Sequence, residues 1–369
     1  MKKVGIVSGG LTKFTKEDAP IESLMGSAIR PIFEENDNLK QKDIDVVLTS
    51  TNANNKYLAN IISEFCGISP KIAHSVESLC NSGTNSIVSA YAYIQSGLAN
   101  TALIVGGENV HSPGLVLEWD KSRSQYKHPI YWASMFTSSY MKKYDVTLEN
   151  LSYVSAKNHR NAVDNPFACF EHEYSVDDVM KSKHLTENIR LLDCSMSCSG
   201  AGAILLASEN TIKKFTDNPV WIKGIGQKSI SAGFTKNNDF TSMVSTSHSA
   251  SNAYKMSGKN PSDIDVAELH DAFSICEIIE LEDLGFVKKG KGVDYVKQLF
   301  ETHDKKINPR GGLIGSGHPL GATGIAQTIE IVKQLQGNAG KRQVKNSKVG
   351  LVHNMSAAAT SSTVLILET

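Results

Sequence analysis

Apolar positions along this chain keep two rhythms that take turns. Short unbroken runs such as Val4-Gly-Ile-Val, Ile44-Asp-Val-Val-Leu-Thr, Ala73-His-Ser-Val and Thr101-Ala-Leu-Ile-Val-Gly-Gly-Glu read as buried strands. Between them apolar residues fall at helical spacing: Ile21, Leu24, Met25, Ala28, Ile29, Ile32 and Phe33, then Leu58 to Cys66, then Ile87, Val88, Tyr91, Ile94 and Leu98. Strands alternating with helices at this pitch predict an α/β fold, with a parallel-rich sheet covered on both faces.

From about 112 to 184 the strand rhythm stops. Aromatics and histidines mix with polar residues, among them Trp119, Tyr126, Tyr131, Trp132, Met135, Phe136, Tyr140, Tyr144, His159, Phe167, Phe170 and His172. Helices are expected over Tyr131 to Tyr144 and Leu151 to Asn161. The region reads as an insertion, either lining a substrate pocket or packed as a helical subdomain. The sheet is expected to resume over Leu191 to Ser208. A second cycle follows: a strand from Trp221, a helix over Ser245 to Ser257, and a strand over Val266 to His270. Then come a helix over Ile275 to Leu284 stopped by Gly285, a glycine-rich loop over Gly311 to Leu320, and a helix over Thr323 to Leu335. Strands at Val349 to His353 and from Thr363 close the chain. Small residues lead into an apolar strand twice, at Ser199 and at Ser356. The echo predicts a duplicated fold, with halves at 1–215 and 216–369 and the insertion of about 112–184 inside the first.

Lys plus Arg and Asp plus Glu both number 38, so the formal charge is zero. Bulk charge therefore predicts neither nucleic-acid nor membrane binding. No apolar run is long enough to span a bilayer, and the first residues read as a strand, not a targeting segment. The six cysteines are Cys66, Cys80, Cys169, Cys194, Cys198 and Cys276. They form no C-x-x-C pair and no zinc spacing, so reduced thiols, a cytoplasmic setting and no metal are expected.

Two runs carry candidate chemistry. The first is Ser75-Val-Glu-Ser-Leu-Cys80-Asn-Ser-Gly, which leads straight into a helical pattern. A cysteine at a helix entrance meets free N–H groups and the positive end of the dipole, which favour a nucleophilic thiolate. The alternative is a buried structural cysteine. The second run, Asn308 to Gly324, holds six glycines in seventeen residues and fixes His318 in front of Pro319. It lacks the Gly-Lys-Ser/Thr of a phosphate loop, and His318 reads as a base. His270 ends a strand, where ligands gather in α/β sheets, as an oxyanion donor or a satisfied buried histidine. His353 and Asn354 end another strand and are open to the same two readings.

In this order, S-x-x-C-x-S-G, H-D-A-F, N-x-x-G-G-x-x-x-x-G-H-P-x-G-A-T-G and H-N before a small-residue run resemble the thiolase superfamily. The pattern is closest to the sterol-carrier-protein-type and archaeal acetyl-CoA acetyltransferases, and it spans nearly the whole chain. The resemblance implies two βαβαβαββ halves in five layers, α-β-α-β-α. It implies that Cys80 takes an acyl group from acyl-CoA, that His318 activates the thiol, and that His270 serves the oxyanion. Asn354 stands where many thiolases carry a second cysteine, so His353, His318 or a water would have to move the α-proton. A second oxyanion hole is implied at the backbone of Cys80 and the segment after Asn354. Met135 and Phe136 are implied to shape the acyl pocket, and Met135, Phe273, Gly317 and Ser356 to bind the coenzyme A thioester. The implied activity is acetyl-CoA C-acetyltransferase, in condensation or thiolysis. Other acyl transfers, or a non-catalytic subunit, are the alternatives. Coenzyme A thioesters would be substrates, with no other cofactor. A homodimer or homotetramer, a small OB-fold zinc-ribbon partner, a hydroxymethylglutaryl-CoA synthase and the mevalonate pathway are implied as context.

Overall fold

A computed structural model describes residues 2–112, 125–233 and 237–369. Trp119 and part of the inserted region lie outside the described residues. The first strand cycle is β1 (Val4–Leu11), α1 (Ile21–Glu34), β2 (Val46–Ser50), α2 (Leu58–Phe65), β3 (Ile72–Ser75), α3 (Ser82–Ser96) and β4 (Thr101–Glu108). The inserted region supplies α4 (Pro129–Tyr144), α5 (Leu148–Val163) and α6 (Val176–Lys181), and β5 (Gly200–Ser208) then closes the cycle. The second cycle is α7 (Glu209–Ile212), β6 (Val220–Ser229), α8 (Val244–Ser257), β7 (Val266–Glu268), α9 (Ser274–Asp283), α10 (Gly292–Thr302), α11 (Gly312–Ser316), α12 (Leu320–Leu335), β8 (Val349–Ser356) and β9 (Ser361–Glu368).

Among the described residues nine strands form one sheet, in the order β3-β2-β4-β5-β1-β6-β9-β8-β7. Reading outward from β1 and from β6, the two sides run in the same pattern. The parallel pairs are β2 with β3, β2 with β4 and β7 with β8, and the remaining pairs are antiparallel. Beyond β7 the matching fifth strand shrinks to a single parallel bridge, Ala267 with Ile307. The seam is thin. β1 meets β6 only at Gly5–Trp221 and Ile6–Val220, while it follows β5 from Val4 to Leu11 around a bulge.

Alternation along the strands divides the core. Val46, Leu48, Ile104, Ile204 and Leu206 from one side, and Val352, Leu365 and Leu367 from the other, all face α3 and α12. Val47, Leu103, Val105 and Leu205 turn outward onto α1 and α2. Leu351, Val364 and Ile366 turn outward toward α8 and α9. The layers are therefore helix, sheet, helix, sheet, helix, as the resemblance implied. Each fully buried Ile or Leu in the middle layer contributes roughly 1.5–3 kcal/mol.

The middle layer is packed close. A Cβ at Gly324 would lie 2.7 Å from Thr84 Cγ2, and one at Gly83 would lie 3.0 Å from the Gly321 carbonyl. These glycines bring two helices into backbone contact. The strand expected from Leu191 begins only at Gly200. Residues 194–199 are small and polar, and they run out of the sheet toward Phe273 and Thr15.

Candidate active site

Strand β3 ends at Ser75, and the chain must turn sharply to enter α3. It does so through Leu79, a non-glycine residue at φ +51°, placed directly before Cys80. Such a conformation costs about 1–3 kcal/mol and must be held by its surroundings. Ser82 holds it: the Ser78 N–H donates to its hydroxyl at 2.7 Å, and the hydroxyl donates to the Leu79 carbonyl at 2.6 Å. Cys80 is thereby fixed in a single 3₁₀ turn at the head of α3.

His318 arrives from the far end of the chain. The carboxylate of Asp271 accepts the N–H groups of Leu313 at 2.6 Å and Ile314 at 3.2 Å, which anchors α11. Asn308 and Arg310 tie the start of this loop to β7. Asn308 Oδ1 accepts from the Leu269 N–H at 2.7 Å, and Arg310 Nε donates to Glu268 at 3.0 Å. Burial pushes the Glu268 carboxyl up to about 7 in spite of that guanidinium. Glu108, at the end of β4, accepts the Gly321 N–H at 3.0 Å and so pins the first turn of α12 beside His318. The polar half of the glycine-rich signature is thus scaffolding for the imidazole.

The Sγ of Cys80 and ring nitrogens of His270 and His318 lie within 4.8 Å of one another. The two imidazoles meet edge to face, 5.2 Å between centroids. All three residues are buried, at the bottom of a cavity of about 180 Å³. Its walls include Trp132, Phe273, Leu320, Met355, Ala357 and Ala358. Burial, with Glu108 and Glu77 adding to it, pushes the Cys80 thiol up to about 12. The thiolate expected from the helix entrance is therefore corrected. Desolvation outweighs the dipole, and the resting sulfur keeps its proton.

His318 is tuned the opposite way. Burial, then the charge of Arg310, brings it down to about 3, so the imidazole is neutral. Its Nδ1 is 2.7 Å from Thr323 Oγ1, and that hydroxyl donates its one proton to the Pro319 carbonyl at 3.0 Å. The remaining proton of the contact must then sit on Nδ1. Nε2 is left as a bare lone pair with no partner among the described residues. A protonated thiol beside a neutral imidazole with an open nitrogen is a nucleophile–base pair. His270 is also held neutral, well below its ordinary value, by burial and then by His318. A neutral ring can donate one hydrogen bond to a developing oxyanion. The same trio is the described group spaced to hold a metal ion, and the thiol would have to lose its proton first.

Thr323 should matter more than its position in a helix suggests. Thr323→Val is expected to slow acylation of Cys80 by roughly 10- to 100-fold, the usual cost of losing the partner that orients an imidazole. Thr323→Ser keeps the hydroxyl and should restore the rate. Nitrogen-15 spectra of His318 read the tautomer directly. An unchanged tautomer and rate in the valine variant would remove Thr323 from the site.

Residues 4–210 match the family model described as the thiolase N-terminal domain, and residues 226–369 match the thiolase C-terminal domain-like model. The chain belongs to the thiolase family. It is 36% identical to an acetyl-CoA acetyltransferase of Methanothermobacter thermautotrophicus, over 84% of both chains. It is 30% identical to that of Methanocaldococcus jannaschii, over 99% of this chain and 98% of the other. Bovine sterol carrier protein 2 matches at 36% over 76% of this chain, which spans only 56% of that protein. Among solved structures, an Ltp2-ChsH2(DUF35) aldolase superposes with a TM-score of 0.87 at 23% identity, covering 100% of this chain and 98% of that one. A monomeric SCP2-thiolase-like protein type 1 from Mycobacterium smegmatis gives 0.79 at 16%, covering 99% and 76%. Both establish the fold. The family makes this chain an acyltransferase of thiolase type.

The structure gathers Cys80, His270, His318 and Phe273 in the thiolase pocket and leaves the other expected residues outside its walls. Met135 is 40% exposed, because the buried stripe of α4 runs through Trp132, Phe136 and Tyr140. Trp132 takes the place expected for Met135, stacked edge to face on Phe273. Gly317 sits behind His318, at φ +95°. Ser356 belongs to the β8–β9 ladder opposite Ser361. His353 is buried on the other face of β8, with Glu280 at 3.1 Å and Thr246 at 3.1 Å. Asn354 turns toward α12 and donates to Gln327 at 2.6 Å. A carboxamide neither ionises nor takes up a proton near neutral pH, so Asn354 supplies no second acid or base. The sequence reading missed His128, Ser195 and Ser197, which line the pocket from the inserted region and from the stretch before β5. His128, directly before Pro129, caps α4 by accepting the Ile130 N–H, and that helix-start signal was readable.

Among the described residues, no helix is long and apolar enough to cross a membrane.

Proposed function

We propose that this thiolase-family enzyme is an acetyl-CoA C-acetyltransferase working through an acyl-Cys80 intermediate. The observation that carries the reading is the Cys80 sulfur within 4.8 Å of the His318 ring, whose Nε2 is open. Nε2 takes the thiol proton as sulfur attacks the thioester carbonyl. The oxyanion is met by His270, and collapse of the adduct expels coenzyme A thiolate, which takes the proton back from His318. Acyl-Cys80 then accepts a second acetyl-CoA carbanion in condensation, or forms when acetoacetyl-CoA is cleaved in the reverse direction. A cavity of about 180 Å³ with alanine and tryptophan walls suits a short acyl group.

A second reading is favoured by one observation. Among the described residues, the pocket wall offers His128 as the one titratable side chain besides the three buried groups, so none of them stands as a second acid/base for the carbon–carbon step. Acyl transfer to an acceptor that needs no deprotonated carbon fits that arrangement.

Incubation with radiolabelled acetyl-CoA tests both. Label is expected on the peptide carrying Cys80 and should be absent from Cys80→Ala. Release of acetoacetyl-CoA on adding more acetyl-CoA supports the first reading. Label without acetoacetyl-CoA supports the second, and an unlabelled Cys80 sinks both. A cytoplasmic setting in the mevalonate pathway, self-association, an OB-fold zinc-ribbon partner and a hydroxymethylglutaryl-CoA synthase belong to the same proposal through the family resemblance. Co-purification and size-exclusion chromatography read the associations.

A further inference from the structure

Behind the catalytic loop, two cysteines close over one glycine. A Cβ at Gly317 would lie 2.7 Å from Cys198 Sγ and 3.1 Å from Cys169 Cβ. The Cys198 sulfur and the Cys169 β-carbon thus crowd the same point beside Gly317, and both thiols are free. Cys198 is buried against Phe14 and Ala326, and Cys169 is half-buried. Neither lines the pocket.

Both are wired to the backbone that holds His318. The Cys169 N–H donates to the Ser316 carbonyl at 2.9 Å. The His318 N–H donates to the Met196 carbonyl at 2.9 Å, two residues before Cys198. Gly317 is therefore clasped from two sides, and one of the clasps is a sulfur that can change its bonding.

The two thiols also differ in readiness. The neighbouring Cys198 thiol, then the charges of Lys16 and Lys13, draw the Cys169 thiol down to about 7. Burial holds Cys66 and Cys194 up, and Cys276 well up. A partly exposed, electropositive cysteine beside a second thiol has the form of an attacking sulfur with its resolving partner.

We propose that Cys169 and Cys198 are a redox-modification site, forming a reversible disulfide under peroxide that unseats His318. The Cys169 thiolate attacks peroxide, an S–O bond forms, the O–O bond breaks, and water leaves after protonation. The Cys198 sulfur then attacks the sulfenic acid, an S–S bond replaces the S–O bond, and a second water leaves. Two thiols are oxidised and one peroxide is reduced. The new bond, about 2.0 Å long, shifts the Cys198 sulfur where it lies against Gly317, directly before His318. A cellular dithiol reverses the step by exchange.

Peptide mapping of the Cys80→Ser protein after hydrogen peroxide tests the site without involving the catalytic sulfur. The expected product is one cross-linked peptide pair joining Cys169 to Cys198, two hydrogens lighter and restored by dithiothreitol. The Cys198→Ser variant should instead trap a dimedone adduct on Cys169. Recovery of both thiols alkylated and unlinked overturns the proposal. For the link to His318, the acylation burst is compared before and after peroxide. The chain with native cysteines should lose at least about tenfold in rate, recoverably, as expected when an orienting contact is lost. Cys169→Ser should keep its rate. Equal loss in Cys169→Ser would place the damage on Cys80 and overturn the switch, as would an unchanged burst in fully cross-linked protein.

Discussion

Replacing His318 by asparagine is expected to slow acylation of Cys80 by roughly 10³-fold at neutral pH, within the usual range for a lost general base. The size follows from the state of the sulfur. With its thiol pushed up to about 12, Cys80 lies five units above neutrality, so on the order of one sulfur in 10⁵ is ionised at pH 7. Asparagine fills the space but cannot take the proton. The pH profile separates this from a folding defect. In the unaltered protein the base is the neutral imidazole, drawn down to about 3, so the acylation rate should be flat from mildly acid to mildly alkaline pH. It should fall only as the imidazole protonates in acid. In His318→Asn the rate should climb about tenfold per pH unit toward about 12, because only pre-formed thiolate reacts. A flat profile in the variant would show that His318 is not the base.

The second large effect is structural. Lys157→Met is expected to destabilise the fold by about 3–5 kcal/mol, the usual cost of stranding a buried partner. Lys157 is fully buried, with its ammonium 3.1 Å from Glu277 and bonded also to Asn158 and the Ile307 carbonyl. Glu277 in turn accepts from Asn158 and Asn308, both at 2.7 Å, and Asn158 reaches Asp271 at 2.7 Å. The Asp271 carboxyl is held well above its ordinary range, first by burial and then by Glu277, with Lys157 opposing. Without the ammonium that carboxyl rises further. A carboxyl raised by folding binds more protons in the native state than in the unfolded one. Stability is then present at low pH and lost as pH climbs from about 4 through the raised value. The deficit of Lys157→Met should therefore shrink as pH falls from neutral toward 5. Urea midpoints at the two pH values measure it, and a deficit that grows in acid would contradict the account. Because Asp271 anchors α11, loss of the cluster should also loosen His318.

How much of this was legible in the sequence depended on the kind of signal. Strands β1, β2, β4 and β9 were readable because each is a short apolar run with no competing helical period. The meeting of Cys80, His270 and His318 was readable only through motif order, since nothing local links positions 80, 270 and 318. What failed was what depends on tertiary surroundings. The helix entrance pointed to a thiolate at Cys80, but dipole and burial oppose each other, and only the fold decides which is larger. Met135 and Trp132 lie on a helix with apolar residues around much of its girth, so periodicity could not choose the inward face. His353 and Asn354 sit on opposite faces of one strand, and each side chain is taken up elsewhere, by Glu280 and Thr246 and by Gln327, while Met355 further along reaches the pocket. The buried Lys157 cluster gave no signal, because isolated Lys and Glu residues normally belong to a solvated surface.

Two rungs, Gly5 with Trp221 and Ile6 with Val220, are all that stitch β1 to β6. What keeps nine strands together is the shared filling of α3 and α12, gripped from above and below. Such a sandwich has no half that can be lifted off cleanly, since either slice would bare an aliphatic strip meant for the other. Severing the connection before β6 would make two sticky plates, each dependent on the other for solubility. The nucleophile and its base come from opposite slices, so the chemistry exists only while the sandwich is shut.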